Sequence, residues 1–325
     1  MIQHIYHERQ GEYILVTSLL IHPDELSKTW IDRMADCGVT VLGLHPVGGR
    51  KAADSLAELL EQVKTPAFRA LIDYAGSRGL EIEYECHAVG YLLPRSLFEQ
   101  HPEYFRVNAD SERTPDWNFC VSNEAALELV AQRAVEVIKS LYGSRPYYYL
   151  WLDDRRDSHC RCDRCKALSG SDQQMLVINA IAQRLEKWNP DAKIAYLAYC
   201  GSVEAPAVKP HSNVFLEYAP FEKYVSKDAE KIRLEQAAFQ GLVKVFGKKD
   251  MKVLEYWYDN SMFSNWTKPP KEFFPDKAAM QQDIASYKAR GAEQIASFAC
   301  YLGPDYEELY EPVDIRPFTE AFDNK

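Results

Sequence analysis

Apolar, strand-like segments alternate with helical segments along most of the sequence, and this alternation limits the possible folds more than any other feature. The strand-like segments are residues 12–21, 39–45, 80–87, 147–153, 193–199, 213–218, 252–258 and 294–302. Strands that alternate with helices form parallel sheets, because each helix returns the chain to the same end of the sheet. A count of eight favours a closed (β/α)8 TIM barrel over an open doubly wound sheet. No glycine-rich nucleotide-binding motif follows the first strand, which further weakens the open-sheet alternative.

The connection after the third predicted strand, residues 88–144, is the longest in the sequence. Segments around Phe105 and Arg113 are typical of a small hairpin, and Ser122 is placed to cap the helix before the fourth strand. The length of 325 residues is within the range of single (β/α) barrels, and no repeat or low-complexity linker divides the chain. We therefore predict one domain, residues 1–325, with a long insertion after the third strand.

The charge of the chain argues against several classes of partner. With 48 acidic and 38 basic residues the formal charge is −10, and no basic cluster stands out, so we expect no nucleic-acid or anionic-membrane binding. No apolar run approaches the roughly 20 residues of a membrane span. The N-terminal segment lacks the apolar core of a signal peptide, which indicates a cytoplasmic protein, although a mature secreted protein could look the same. In a reducing cytoplasm the eight cysteines are not expected to form structural disulfides.

Ionisable and aromatic residues cluster at the C-terminal ends of the predicted strands, where barrel enzymes carry their active sites. They are His45, Glu85, His87, Asp153, Asp154, Tyr199, Glu217, Tyr218, Glu255, Trp257, Tyr258, Asp259 and Tyr301. Carboxyl groups that converge in a partly dry cleft repel one another, which separates a proton donor from an ionised base. Aromatic rings suit the apolar faces of sugars. A glycosidase needs this combination of two carboxyl groups and a sugar-binding surface.

Each of these residues also has a structural interpretation. Glu217 and Glu255 interrupt apolar strands, where an acid is unfavourable unless it is paired or functional. Glu85 and His87 lie on the polar side of their strand and could equally belong to a buried hydrogen-bond network. Trp257 could be part of the core, as aromatic residues usually are.

Several motifs resemble those of a known family. They are the HPEYF string at residues 101–105, the segment CVSN at 120–123, the C-x-C-x2-C pattern at 160–165 and the segment EYWYDNS at 255–261. Together they resemble a large bacterial family of largely uncharacterised, glycosidase-like (β/α)8 barrels that are related to the α-glucuronidases and β-N-acetylhexosaminidases. The resemblance covers roughly residues 80–265, which is most of the predicted core.

The resemblance implies a glycosidase-type site with its proton donor after the fourth strand and its partner after a later strand. It makes Asp154 the candidate acid, and Glu217 and Glu255 the candidates for base or nucleophile. The related glucuronidases and hexosaminidases use Glu as the acid, whereas this chain has only aspartates at that place. The other strand-end residues are then candidates for substrate binding, namely His45, Glu85, His87, Asp153, Tyr218, Trp257 and Asp259.

Three cysteines within six positions, Cys160, Cys162 and Cys165, are unusual for a packing role. The family resemblance adds Cys120, which would complete the four thiolate ligands of a closed, structural zinc site. Such a site would join the long insertion to the loop after the fourth strand. A disulfide, an iron–sulfur cluster and metal-free thiols are alternatives, since C-x-C-x2-C is not a common zinc-finger spacing. No organic cofactor is expected.

Three hypotheses about function follow from these patterns. The first is a glycoside hydrolase that acts on an acidic or N-acetylated sugar, so that its partner is a carbohydrate. The second is a metal-dependent sugar isomerase or epimerase, with ligands for a divalent ion from His45, His87, Glu85 and Glu217. The third is a non-catalytic carbohydrate-binding barrel. Loss of activity on chelation, together with an unaffected Asp154→Asn variant, would favour the isomerase.

Overall fold

The computed structural model describes residues 16–323 of the protein. Eight parallel strands close a barrel, and they are β1 (Val16–Ile21), β2 (Val41–Leu44), β3 (Glu81–His87), β6 (Tyr147–Trp151), β7 (Lys193–Ala198), β8 (Val214–Tyr218), β9 (Lys252–Glu255) and β10 (Gln294–Phe298). The first and last strands pair directly, with Val16 opposite Gln294, so the barrel has no open edge. The predicted (β/α)8 barrel is confirmed. The predicted N-terminal segment and the start of the first predicted strand, before residue 16, lie outside the described residues.

Helices connect the strands and cover the outside of the barrel. They are α1 (Lys28–Asp36), α2 (Ala52–Gln62), α3 (Pro66–Ser77), α4 (Val89–Leu92), α5 (Glu124–Ser140), α6 (Gly170–Trp188), α7 (Glu222–Val225), α8 (Ala229–Phe246), α9 (Asn260–Phe263), α10 (Lys277–Arg290), α11 (Pro304–Glu307) and α12 (Arg316–Asp323). Several begin at a side-chain cap, since Thr65, Ser169 and Asp228 accept a backbone N–H from the first turn. Among the helices of residues 16–323, none is long and apolar enough to cross a membrane.

The segment between β3 and β6 carries a two-stranded hairpin, β4 (Phe105–Val107) and β5 (Arg113–Phe119), followed by α5. The predicted hairpin is therefore present. Asn123 caps α5, because its side chain accepts the N–H of Ala126 at 3.0 Å. The prediction that Ser122 is the cap was wrong by one residue, and the Ser122 hydroxyl lies instead against the thiol of Cys165 at 2.8 Å.

The interior of the barrel contains an apolar set of side chains and a charged set. The apolar set includes Leu20, Tyr149, Ala195, Phe215, Leu254 and Ala296. The charged set is Glu83, Glu85, Glu217 and Lys252, each at most 1% exposed. On the outer side of the strands, a larger apolar core packs the strands against the helices. Successive side chains of a strand alternate between the barrel interior and the helix layer, so the position of a residue along its strand decides whether it can reach the interior.

Candidate functional site

A cavity of about 550 Å³ opens at the C-terminal end of the barrel. We call it the barrel pocket. Each of the eight strands is followed by, or ends in, a residue that lines it, and examples in strand order are His22, His45, His87, Trp151, Tyr199, Phe221, Tyr256 and Phe298. Its volume is in the usual range of small-molecule sites, and its position is where (β/α)8 enzymes carry their active sites.

Two carboxyl groups line the barrel pocket, Asp154 after β6 and Asp259 after β9. Among the described residues, none forms a hydrogen bond or ion pair with Asp154. One Asp259 oxygen accepts the Ser261 hydroxyl at 2.5 Å and the backbone N–H groups of Ser261 at 3.0 Å and Met262 at 3.3 Å, and the two N–H bonds cap α9. Burial raises the pKa of Asp259, against the opposing effect of these hydrogen bonds. The two strands are three positions apart around the barrel, so the carboxyl groups enter the pocket from different sides.

Gly48 brings the loop after β2 close to this region of the pocket. A Cβ atom at position 48 would stand 3.1 Å from Cδ2 of His87 and 3.6 Å from an Oδ atom of Asp154. The backbone of a glycine therefore fills the space between the ends of β3 and β6, where a larger residue would crowd the His87 ring and touch Asp154.

Three histidines line the side of the pocket formed by β1, β2 and β3, and each is at most 8% exposed. Each bonds through Nδ1 to a carbonyl oxygen of the next strand around the barrel. The distances are 2.7 Å from His22 to the His45 carbonyl, 2.8 Å from His45 to the Glu85 carbonyl and 2.6 Å from His87 to the Leu152 carbonyl. Burial, together with the neighbouring His22 and His87, holds the pKa of His45 well below its usual value.

Aromatic rings form much of the remaining wall. Tyr256 stacks on Phe298 with ring centres 5.2 Å apart, and Trp151 lies beside the rings of His45 and His87. Trp266 reaches the pocket from the loop after α9 and is 61% exposed. Such surfaces are suited to the apolar faces of a sugar ring.

Below Trp151, the charged set of the barrel interior begins with Glu217. The Trp151 indole N–H donates to an oxygen of Glu217 at 2.8 Å. The ammonium of Lys252 lies 2.7 Å from Glu83, 3.7 Å from Glu217 and in contact with Glu85. Glu85 and Glu217 are therefore under the floor of the pocket rather than in its wall.

The pKa shifts in this set follow from burial and from the nearby cations. Burial favours the neutral form of Glu83, but Lys252 and Arg145 outweigh it and lower the Glu83 pKa to about 2. Burial raises the pKa of Glu85 well above its usual value, with Glu217 and Glu83 adding to the effect. Burial raises the pKa of Glu217 as well, with Lys252 opposing the rise, so the neutral forms of Glu85 and Glu217 are favoured while Glu83 is held ionised beside Lys252 and Arg145.

The expected ligand set for an isomerase metal is not assembled. Lys252 occupies the space between Glu85 and Glu217 where a divalent ion would have to lie. Only one group of three or more His, Cys, Asp or Glu side chains within residues 16–323 has its ligand atoms close enough together to hold a metal ion. This group is the cysteine cluster described below. His45 and His87 thus do not join Glu85 and Glu217 in a metal site.

Glu255 points away from the barrel pocket. Its oxygens bond to Lys223 at 2.5 Å, to the Tyr224 hydroxyl at 2.6 Å and to the Tyr287 hydroxyl at 2.5 Å, between β9 and the helices α7 and α10. Burial raises its pKa, and these three partners oppose the rise. Two predicted substrate-binding residues share this outward direction. Trp257 donates to Asp283, and Tyr218 donates to the carbonyl of Glu235.

The expectation that Asp154, Glu217 and Glu255 meet in one pocket was therefore wrong. Side chains of a strand alternate between its two faces, and Leu254 and Tyr256 take the pocket side, which turns Glu255 toward the helices. Asp153 is also directed away from the pocket, since it pairs with Arg95 at 2.6 Å and its backbone N–H donates to Asn118 of β5. The pocket does contain His45, His87, Asp154 and Asp259.

Sequence reasoning missed several pocket residues, and only some left a signal. His22 directly follows β1 and could have been found by the same strand-end rule. Tyr256 lies one residue beyond β9, and the alternation along this strand turns its side chain to the same side as Leu254, toward the pocket. Trp266 is in an irregular loop, and no periodicity could have placed it at the pocket.

The four predicted cysteine ligands come together. The Sγ atoms of Cys120, Cys160, Cys162 and Cys165 all lie within 4.8 Å of one another, and none forms a disulfide. The Sγ of Cys120 is 3.7 Å from that of Cys162 and 3.9 Å from that of Cys165. Tetrahedral thiolates at the usual zinc–sulfur distance would be about 3.8 Å apart, so the donor set fits a zinc ion. The spacing is far above the roughly 2.05 Å of a disulfide bond.

The cysteine cluster joins the hairpin to the loop that carries Asp154. Cys120 follows β5, while the other three cysteines belong to the loop between β6 and α6. The N–H of Arg161 also donates to the Val107 carbonyl at 2.8 Å, and the Asn118 amide donates to the Ser158 hydroxyl at 2.8 Å. Hydrogen bonds and the cluster therefore hold the same two segments together.

Comparisons with known proteins agree with this architecture. Residues 59–309 match a family described as "Domain of unknown function (DUF4838)". No curated protein matches.

Solved structures with the same fold include three glycoside hydrolases. The β-N-acetylhexosaminidase from Bacteroides fragilis has a TM-score of 0.62 and 15% identity, over 95% of this chain and 66% of that one. A mutant of the O-GlcNAc hydrolase from Thermobaculum terrenum has a TM-score of 0.53 and 11% identity, over 96% and 63%. The β-galactosidase from Rahnella sp. R3 has a TM-score of 0.52 and 12% identity, over 89% and 50%. The chain thus spans at most 66% of these proteins, and at such identities the likeness concerns the fold alone.

Proposed function

The chain belongs to the family described as "Domain of unknown function (DUF4838)", and we propose that it is a glycoside hydrolase that acts on an acidic or N-acetylated sugar. The observation that carries the proposal is the barrel pocket, in which two carboxyl groups enter from different sides of an aromatic-lined cavity. Hydrolysis of a glycosidic bond needs one carboxyl group that protonates the leaving oxygen and one carboxylate that acts as base or nucleophile. The fold shared with several glycoside hydrolases supports the same function.

Asp259 and Asp154 divide these two roles in our proposal. Burial raises the pKa of Asp259, which favours a carboxyl group that keeps its proton for the leaving oxygen. Asp154 has no protein partner among the described residues and is open to the pocket, which suits the base or nucleophile. This reverses the role that the sequence suggested for Asp154. Glu217 supports the site from below, because it holds the Trp151 indole by a hydrogen bond of 2.8 Å.

Substitution of the two aspartates tests the proposal. We expect Asp154→Asn and Asp259→Asn each to lower kcat by roughly 100-fold or more on a 4-nitrophenyl glycoside that the wild type cleaves, because each removes one of the two proton-transfer groups. The panel of substrates consists of N-acetylhexosaminides and uronides. Glu255→Gln is the matched control, since Glu255 is also a carboxyl group at the C-terminal end of a barrel strand but faces the helices. Its kcat should remain within a few-fold of the wild type, and full turnover by both aspartate variants would overturn the proposal.

We also infer that Cys120, Cys160, Cys162 and Cys165 hold a structural zinc ion. Four thiolates close the coordination of the metal, so it would supply cross-linking rather than chemistry. The ion would fix the hairpin to the loop that carries Asp154. That the protein works in the cytoplasm, and that residues 1–325 form one domain, remain predictions from the sequence.

A further inference from the structure

Three histidines follow one another around the barrel pocket, at the ends of β1, β2 and β3. We propose that His22, His45 and His87 form a surface that recognises the hydroxyl groups of a neutral sugar, and that the pocket therefore selects neutral sugars over uronic acids. The inference rests on the proposed function and narrows its substrate class.

The hydrogen bonds of the histidines fix the direction in which each ring donates and accepts. A backbone carbonyl can only accept, so each Nδ1 that lies 2.6 to 2.8 Å from a carbonyl oxygen carries the proton. The other ring nitrogen, Nε2, is then an acceptor in the neutral imidazole. Within residues 16–323, none of the three Nε2 atoms forms a hydrogen bond with the protein. None of them is among the fully buried polar atoms that lack a partner, so each remains accessible. Three ring nitrogens are thus available to a ligand in the pocket, and the lowered pKa of His45 makes its Nε2 an acceptor.

Packing holds these rings in place. The His45 ring lies between the rings of Trp151 and Phe298, with centres 5.5 Å and 5.0 Å away. Neighbouring histidine rings are 5.9 Å and 6.0 Å apart, which is a spacing that different hydroxyl groups of one sugar can reach. The three rings do not form a metal site, because their nitrogen atoms are not close enough together. Among the described residues, only the cysteine cluster has three or more potential metal ligands that close.

The charges around the pocket favour a neutral ligand. Its lining contains the carboxyl groups of Asp154 and Asp259, against a single lysine, Lys51, which is exposed. The arginines nearest to Asp154 in sequence have other partners. Arg155 lies over the Trp117 ring, and Arg156 pairs with Glu222. A carboxylate on the ligand would therefore meet the Nε2 acceptor of His45 and the carboxylate of Asp154, whereas a hydroxyl group can donate its proton to these acceptors.

A matched pair of substitutions at His45 separates recognition from structure. In His45→Asn, the amide nitrogen stands in the place of Nδ1 and keeps the bond to the Glu85 carbonyl, while the acceptor at Nε2 is lost. In His45→Gln, an amide oxygen can replace Nε2, while the bond between the strands is lost. We expect His45→Asn to weaken the binding of a neutral sugar by about three- to tenfold with little change in Tm, and His45→Gln to bind more tightly than His45→Asn at a lower Tm. If His45 had only a structural role, the more stable His45→Asn variant would bind the sugar more tightly than His45→Gln.

Binding and turnover should be measured together, so that this inference and the proposed function can fail separately. Calorimetry with N-acetylglucosamine, glucose and glucuronate gives the Kd values, and the matching 4-nitrophenyl glycosides give kcat/KM. We expect the wild type to prefer a neutral sugar to glucuronate by at least tenfold, whether or not it cleaves the glycoside. Binding of a neutral sugar without any cleavage would overturn the proposed function alone. Preference for glucuronate, or no binding of either neutral sugar, would overturn the inference.

Discussion

Lys252 is the residue that makes the charged interior of the barrel possible. It is 1% exposed, and its ammonium lies among Glu83, Glu85 and Glu217 and 4.1 Å from the centre of the Tyr149 ring. A buried carboxylate is strongly unfavourable without a partner, so one lysine here compensates several groups at once. Glu217 in turn holds Trp151, which connects this balance of charge to the floor of the pocket.

Replacement of Lys252 by methionine should destabilise the protein severely. The change leaves Glu83 and its neighbours without their central cation, and the loss of one partner from a buried ion pair typically lowers the free energy of unfolding by about 3–5 kcal/mol. Lys64→Met is the matched control, because Lys64 pairs with Glu61 on the surface and such pairs contribute at most about 1 kcal/mol. Urea unfolding measures both variants. Equal effects of the two substitutions would show that the interior carboxyl groups do not depend on Lys252.

At the scale of the strands, the sequence predicts more of the fold than of the site. Most of the strands are largely apolar on both faces, because one face lines the barrel and the other meets the helices. The main exception is β3, whose inner face carries Glu83 and Glu85. The apolar runs therefore identify the strands, but they do not show whether an acidic side chain faces the barrel interior or the helices. Asp154 and Asp259 lie beyond their strands and reach the pocket from loops, whereas Glu255 is inside β9 and was assigned to the wrong face.

The cysteine cluster shows the opposite case, in which a local pattern and one distant residue predict a contact. C-x-C-x2-C places three thiols on one loop, and the family resemblance supplied Cys120 from the end of β5. The pairing of hairpin and loop could not be derived from periodicity. It depends on tertiary contacts such as the 2.8 Å bond from the Arg161 N–H to the Val107 carbonyl.

Removal of one thiol should release the metal and loosen the hairpin. We expect native protein to contain about one equivalent of zinc and Cys162→Ser to retain much less, with a lower Tm, because three thiolates bind the ion less tightly than four. kcat should fall as well, since the loop with Asp154 loses its attachment. Cys37→Ser is the control, as Cys37 lies outside the cluster. Less than about half an equivalent of zinc in the native protein, measured by elemental analysis, would contradict the zinc assignment.

At the scale of the whole molecule, the barrel is closed where its first and last strands meet, and Glu25 connects the loops above this junction. One Glu25 oxygen accepts the N–H of His22 at 3.0 Å, and the other accepts those of Leu302 and Gly303 at 3.1 Å each. A carboxyl group that is 2% exposed thus links the loop after β1 to the loop after β10. Because His22 belongs to the pocket wall, the closure of the barrel and the shape of the pocket depend on the same side chain.

Glu25 should make the stability of the barrel depend on pH. Burial raises its pKa from 4.5 to about 8 in the folded protein, with the hydrogen bond from His22 opposing the rise. Between pH 4.5 and about pH 8, Glu25 therefore keeps its proton in the folded state but has lost it in the unfolded state. The stabilisation by Glu25 is fully present below pH 4.5 and is lost as the pH rises through about 8. The free energy of unfolding should fall by up to about 4 kcal/mol between about pH 5 and about pH 8 from this group alone.

A difference measurement isolates this group from the other titrating residues. Glu25→Gln cannot titrate, so its unfolding free energy should decline less between about pH 5 and about pH 8 than that of the wild type, even if the variant is less stable throughout. Glu58→Gln, on the exposed face of α2, should reproduce the wild-type dependence. Urea unfolding at several pH values gives the three curves. Parallel curves for the wild type and Glu25→Gln would mean that Glu25 is ionised in the folded protein, in which case the three backbone N–H groups outweigh its burial and the junction is held by a charge.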